Sequence, residues 1–182
     1  MDVDERRGGR TRLALGIGAV AALALVAAGC GGGSEPAGTT GAHGTLPRAV
    51  ARTHTALLAA ADSGDYERLR PLIRTPFSYK HSAAAGGGPI AYWQELERRG
   101  GARPIVVLRD LLRLPHTLER GVYVWPFAVA KRRGELTGAE RRLLRRVGGE
   151  DLSDDFGQGS GYLGWRAGIE SDGDWVFFIA GD

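Results

Sequence analysis

The sequence predicts an α+β fold in which N-terminal helices pack on a mainly antiparallel sheet with a C-terminal hairpin. Apolar residues recur at helical spacing over 50–61. Residues 122–125 read Val-Tyr-Val-Trp, which is typical of a strand. Two more apolar runs, 162–169 and 175–180, are joined by an Asp-Gly turn and therefore predict a hairpin. This order of elements indicates one domain over residues 46–182.

The start of the domain predicts two helices. The first follows Pro47, which suits a first helical turn, and ends at Ser63-Gly64. Asp65 then serves as the N-cap of a second helix, which Pro71 should kink. The apolar face of this second helix would consist of Tyr66, Leu69, Leu72 and Ile73.

Alternation of side chains next predicts a short strand, followed by a loop over 82–88. One face of that strand would carry Phe77, Tyr79 and His81. A third helix opens at Pro89 and closes at two glycines, with Ile90, Trp93 and Leu96 inward. The segment 104–114 fits either a helix or a strand, and we favour the helix.

Thr137 and Glu140 have the spacing of a capping box and predict a further helix over 137–147. Its inward side would consist of Leu143, Leu144 and Val147. Its outward side would carry Arg141, Arg142, Arg145 and Arg146. These arginines form either a solvated face, which we prefer, or a contact for anionic lipid headgroups.

The first 29 residues have the layout of a signal peptide. Several arginines precede a charge-free, Ala/Leu/Val-rich run over 13–28, which is somewhat short for a membrane-spanning helix. The run ends in Ala27-Ala28-Gly29 and then Cys30, the only cysteine. This segment resembles the lipobox of bacterial lipoproteins.

The resemblance implies cleavage before Cys30 and a diacylglyceryl group on its sulfur. The predicted organisation is a signal peptide over 1–29, a flexible Gly-rich tether over 30–45 and the domain. The protein would then lie on the extracytoplasmic face of the cell membrane, held by a lipid anchor at Cys30. Lipidation would leave no thiol for a disulfide, a thiolate metal site or a cysteine nucleophile.

Charge gives little indication of a polymeric ligand. The formal net charge is +3, and removing the four arginines and three acids of 1–29 leaves 3 − (4 − 3), or +2. This excess is too small to predict a nucleic-acid partner. We also expect no cofactor, because no phosphate-cradling glycine loop has its helix and lysine. The sequence likewise contains no serine in a G-x-S-x-G elbow.

The segment 59–69, Ala-Ala-Ala-Asp-Ser-Gly-Asp-Tyr-Glu-Arg-Leu, resembles the start of the NTF2-like superfamily, which includes SnoaL-like proteins. That resemblance implies a curved sheet wrapped by helices into a cone with an inner pocket. The C-terminal part, with Tyr-Val-Trp-Pro at 123–126 and the closing hairpin, is similar to uncharacterised bacterial secreted proteins.

The candidate site residues follow from such a pocket. Tyr79 and His81 are candidates for acid/base catalysis, although a polar edge-strand face is the simpler interpretation. Trp125, Trp165 and Arg166 are candidates for lining a ligand pocket.

The other polar groups predict structural roles. We expect His54 to be a core histidine with a hydrogen bond, and His116 to face solvent. Metal-ligand spacings are missing among the histidines, so no metal site is predicted. The acids Glu170, Asp172 and Asp174 read as a hairpin turn rather than a calcium loop.

The preferred function is a non-enzymatic, lipid-anchored domain that binds a small apolar ligand or another envelope protein. The alternatives are an NTF2-like isomerase or dehydratase, and a purely structural envelope protein.

Overall fold

The part of the chain that the structure, a computed structural model, describes comprises residues 44–80, 87–148, 155–156 and 161–181. Cys30, His81 and the loop over 82–86 lie outside these residues, so the predictions about them stay predictions.

The first helix, α1 (Arg48–Ser63), confirms its prediction at both ends. Pro47 precedes it, and Gly64 ends it in the left-handed conformation, with φ of 72°. A side chain at this φ would be strained, which explains glycine here. Val50, Leu57, Ala60 and Ala61 are buried, so one side of α1 faces the core.

The predicted second helix is instead a 3-10 helix, Tyr66–Leu72, and Ile73 already belongs to a strand. Asp65 caps it as expected, accepting a hydrogen bond from the Glu67 amide at 2.9 Å. Pro71 explains the difference, because its ring and its missing N–H prevent continuation as an α-helix.

Two α-helices lie in the middle of the chain, α2 (Gly88–Arg98) and α3 (Pro104–Leu112). The second of them decides the ambiguous segment in favour of a helix. Leu108 and Leu111 are fully buried one turn apart, as an amphipathic helix requires. The last helix, α4 (Gly138–Gly148), confirms the capping-box prediction.

Five strands form one open, mixed sheet: β1 (Ile73–Ser78), β2 (Thr117–Glu119), β3 (Val122–Trp125), β4 (Arg166–Glu170) and β5 (Trp175–Ile179). Their order across the sheet is β1-β5-β4-β3-β2. Three pairings are antiparallel, as predicted, whereas β1 pairs with β5 in parallel. The description "mainly antiparallel" is therefore correct, with a parallel edge strand.

Two hairpins build most of this sheet. The predicted C-terminal one joins β4 to β5, and its Gly173 has a φ of 99°. The other joins β2 to β3 and was not predicted. Arg120 and Gly121 form its two-residue turn, both with positive φ, which is the type I′ pattern.

The strand predicted over residues 77–81 lies earlier in the chain than expected, beginning at Ile73. It ends at Ser78, so Tyr79 lies just beyond it, and its exposed centre contains Pro76. Proline cannot donate to a ladder, which suits the edge position of β1.

Two apolar clusters hold these elements together. In the larger one, α1, α2 and α3 pack with the sheet around an aromatic centre. Its largest fully buried side chains are Trp93, Trp125, Trp175 and Phe178. The smaller cluster consists of Leu114, Phe127, Ala128, Leu136, Leu144, Phe156 and Tyr162. The smaller cluster holds α4.

Candidate functional site

The helix α4 begins with a reciprocal cap. The Glu140 amide donates to the Thr137 hydroxyl at 3.2 Å, and a Glu140 carboxylate oxygen accepts from the Thr137 amide at 2.8 Å. The other oxygen of Glu140 accepts from Lys131 at 2.5 Å, and this hydrogen bond lowers the pKa of Glu140. Together with buried Leu144, these contacts fix the position of the helix.

The opposite side of α4 carries what we call the arginine face: Arg141, Arg142, Arg145 and Arg146. At 100° per residue these four side chains occupy about 140° of the helix circumference, directly opposite the apolar side. All four are exposed. No carboxylate of the described part of the chain forms an ion pair with any of them. The predicted outward orientation is thus confirmed.

A cleft of about 270 Å³ lies beside this face, lined by Asp110, Arg113, Leu114 and Arg146. Asp110 accepts two hydrogen bonds from Arg109, at 2.8 and 3.1 Å. Arg113 pairs with Asp62 at 2.6 Å. Arg146 is therefore the lining charge without an ion-pair partner among the described residues. Sequence reasoning missed this cleft, because its residues come together only when α3 meets α4.

His54 is half-buried and forms a contact of the predicted kind. Its Nε2 lies 2.9 Å from the Leu112 carbonyl oxygen, within hydrogen-bond distance. Its ring stacks on Trp125 with 5.0 Å between centroids. A side chain held by both contacts joins α1 to the end of α3.

The prediction that His116 faces solvent is wrong. Its ring is half-buried, 5.3 Å from that of Trp125 and 5.7 Å from that of Tyr123. The cause is the unpredicted strand β2, which begins one residue later and draws His116 onto the sheet. Trp125, a candidate ligand contact, is buried, and the rings of His54 and His116 lie 5.0 and 5.3 Å from its ring.

The remaining candidates occupy different places. Trp165 is half-buried, with its ring 4.8 Å from that of Phe178. The Arg166 guanidinium donates to two backbone carbonyls, those of Tyr162 at 3.3 Å and Gly181 at 3.2 Å. These bonds tie the end of the chain to β4, so Arg166 has a structural function whatever else it binds.

Tyr79 is half-buried, and its ring lies 5.6 Å from that of Tyr92 on α2. Lys80 lies over the Tyr79 ring at 5.3 Å. Its proposed partner His81 lies outside the described residues. The prediction that these two side chains form an acid/base pair therefore stays a prediction.

A buried tyrosine network was not predicted. The Tyr66 hydroxyl accepts from the Ile105 amide at 3.2 Å and donates to the Glu97 carboxylate at 3.0 Å. Burial raises the pKa of Tyr66 to about 12. The hydrogen bond from Arg103 lowers the pKa of Glu97. Since Ile105 lies in the first turn of α3, the hydroxyl supplies an acceptor that no side-chain N-cap supplies.

The acidic segment 170–174 forms the predicted hairpin turn. Asp172 accepts from the Asp174 amide at 3.0 Å, and the Gly173 amide donates to Glu170 at 2.8 Å. The Thr53 hydroxyl donates to the Gly173 carbonyl at 2.6 Å and fixes the turn to α1. No group of three or more potential metal ligands occurs among the described residues.

Comparison with protein-family models, curated proteins and solved structures gives no match. Within the part of the chain that the structure describes, no helix is both long and apolar enough to cross a membrane.

Proposed function

We propose that this protein is a lipid-anchored, extracytoplasmic interaction domain that is attached at Cys30 and contacts its partner through the arginine face. The observation that carries the anchor is the position of the only cysteine, directly after three small residues at the end of an apolar run. Signal peptides of this layout direct export, and two acyl chains hold a protein durably on a bilayer.

The arginine face supports an interaction rather than a purely structural role. Its four guanidinium groups are exposed, lie on one side of α4 and have no carboxylate partner in the described structure. Guanidinium groups bind phosphate and carboxylate oxygens in two-pronged fashion, so this face suits an anionic partner better than an apolar one.

The NTF2-like cone belongs to the same proposal. In its support, α1 and α3 pack on β4, which places helices against one side of the sheet. An acid/base role for Tyr79 with His81 stays a prediction of that resemblance.

The substitution Cys30→Ser tests the anchor. In a bacterium with a lipoprotein pathway, the parent should incorporate labelled palmitate and lose residues 1–29, as mass spectrometry of its N-terminus would show. The variant should incorporate no label, because serine offers no sulfur for the diacylglyceryl group.

Ser34→Ala, a substitution four residues away, is the matched control and should behave like the parent. The proposal fails if the Cys30→Ser variant keeps the N-terminus and the membrane fraction of the parent and differs from it in mass only by the exchange of sulfur for oxygen.

A further inference from the structure

We infer that the arginine face docks on the anionic headgroup surface of the membrane that carries the anchor, so that α4 lies against the bilayer. This inference rests on the proposed function for the anchor alone. One observation carries it. Four exposed arginines lie on one side of α4, and the opposite side of this helix packs in the smaller apolar cluster.

The charges of this face repel one another. Arg141 and Arg145, and likewise Arg142 and Arg146, are separated by four residues and therefore lie one above the other on the helix. Like charges at this spacing oppose helix formation, and the described structure supplies no acid between them. A layer of lipid phosphates would relieve this repulsion, because each phosphate can bridge neighbouring guanidinium groups.

The packing of α4 against the rest of the domain holds the arginine face in place before it contacts a membrane. Leu144 is buried in the smaller cluster, and the capping box with Lys131 fixes the first turn. The 3-10 helix Arg133–Glu135 precedes α4 in the chain. Arg132 and Arg133 are exposed there and add two cations just before the helix. A pre-ordered cationic surface loses little conformational freedom when it binds.

The anchor favours a bilayer over other anionic partners. Residues 31–43 separate Cys30 from the first described residue, and a Gly-rich chain of that length spans roughly 20 Å. A domain of this size is about 40 Å across, so it would stay at the membrane surface throughout. At that distance the tether does not select which side faces the lipid, whereas an anionic surface potential selects the most cationic side.

The test uses the full lipidated protein with Ala139→Cys, an exposed position on α4 that supplies the only free thiol once Cys30 is acylated. A fluorophore on this thiol is quenched by nitroxides on lipid headgroups when α4 touches the membrane. The protein is placed in vesicles of phosphatidylcholine alone or with roughly one-third phosphatidylglycerol, a composition chosen to give an appreciable surface potential.

We expect quenching to favour the anionic vesicles by at least about tenfold in the contact equilibrium, since each basic residue near such a surface contributes roughly fivefold. Changing Arg141, Arg142, Arg145 and Arg146 to Gln should abolish the preference, and changing them to Lys should retain most of it. Salt of about 0.5 M should also weaken contact in the parent, because it shortens the screening length.

The matched control changes Arg48, Arg52, Arg68 and Arg120 to Gln, which removes the same charge from exposed positions on other elements. It should keep the preference. Equal quenching on both lipids, or an equal loss in the control, overturns the inference. A third result would also overturn it. In that result, quenching shows no preference for anionic vesicles, but an oligonucleotide or a peptide of the acidic stretch at 150–155 displaces α4 from the vesicle surface.

Mass spectrometry of the same sample reports acylation of Cys30. Acylation without a lipid preference overturns the docking inference and leaves the anchor standing. An unacylated chain overturns the anchor, and its binding to anionic rather than neutral vesicles then tests the arginine face by itself.

Discussion

Two helices of equal length use their arginines in opposite ways. Both α2 and α4 contain 11 residues, and each buries one side in an apolar cluster. On α2, Glu95 pairs with Arg98 and, at 2.6 Å, with Arg99. On α4, the four residues of the arginine face have no such partner in the described structure.

The difference indicates different purposes for the same residue type. An arginine paired within its own helix contributes to solubility and modestly to stability, and its charge is largely cancelled. An unpaired set on one side costs stability through repulsion and leaves its charge available. Such repulsion does not stabilise a fold, and it therefore supports the proposal that α4 binds a partner, whereas the paired arginines of α2 stabilise their own helix.

The largest expected effect compares how much the packing of α2 and the packing of α4 contribute to the free energy of unfolding. Trp93→Ala on α2 should cost about 3–5 kcal/mol, because it empties the centre of the larger cluster. Leu144→Ala on α4 should cost about 2–3 kcal/mol, since the smaller cluster can partly close the gap. Chemical denaturation followed by circular dichroism measures both values.

Hydrogen exchange distinguishes how the two substitutions act. Leu144→Ala should reduce amide protection in α4 well before α2, whereas Trp93→Ala should reduce it throughout. Leu118→Ala is the control, because this side chain is 56% exposed and should change stability by less than about 0.5 kcal/mol. Equal loss of protection in both helices after Leu144→Ala would contradict the view that α2 and α4 are held by two different apolar clusters.

The second prediction concerns the Tyr66 hydroxyl, which bonds to Glu97 on α2 and to Ile105 on α3 and has no equivalent on the arginine face. Tyr66→Phe should cost about 1–3 kcal/mol, because the buried Ile105 amide loses its acceptor. Tyr92→Phe should cost much less, since that hydroxyl forms no hydrogen bond in the described structure.

Alkaline titration provides a second readout for Tyr66. Its pKa of about 12 exceeds the ordinary value of 10, so between these pH values the unfolded chain loses the proton first. The parent should therefore lose stability as pH rises through this window, and Tyr66→Phe should lose less. Burial also raises the pKa of Tyr162, so part of the decline should persist in the variant. Identical curves for parent and variant would contradict the assigned pKa.

Local signals carried most of what could be predicted. The Thr137–Glu140 box, the Asp65 cap and the Asp-Gly turn each act within a few residues, and each confirms its prediction. The arginine face could also be identified from the sequence, because helical periodicity alone determines which residues share a side.

Contacts between distant segments could not be predicted in the same way. The parallel pairing of β1 with β5 joins residues about 100 positions apart, and no turn fixes its register. The short β2 contains too few residues for an alternation signal, and without that strand the sequence predicts that His116 faces solvent. The cleft beside Arg146 likewise depends on how α3 and α4 meet.

The smallest expected effect is also the most direct test of the contrast, because the two helices should respond with opposite signs. Arg99→Gln should lower the melting temperature by about 1 °C, since it removes a hydrogen bond that lowers the pKa of Glu95. Arg141→Gln should raise it by about the same amount, because it relieves repulsion with Arg145 and removes a cation near the positive end of the helix dipole. Differential scanning calorimetry at low salt measures both shifts, and added salt should shrink both, as expected for screened charges. If Arg141→Gln lowers the melting temperature as Arg99→Gln does, the arginines of α4 stabilise the fold as those of α2 do, and the case for a separate binding role is lost.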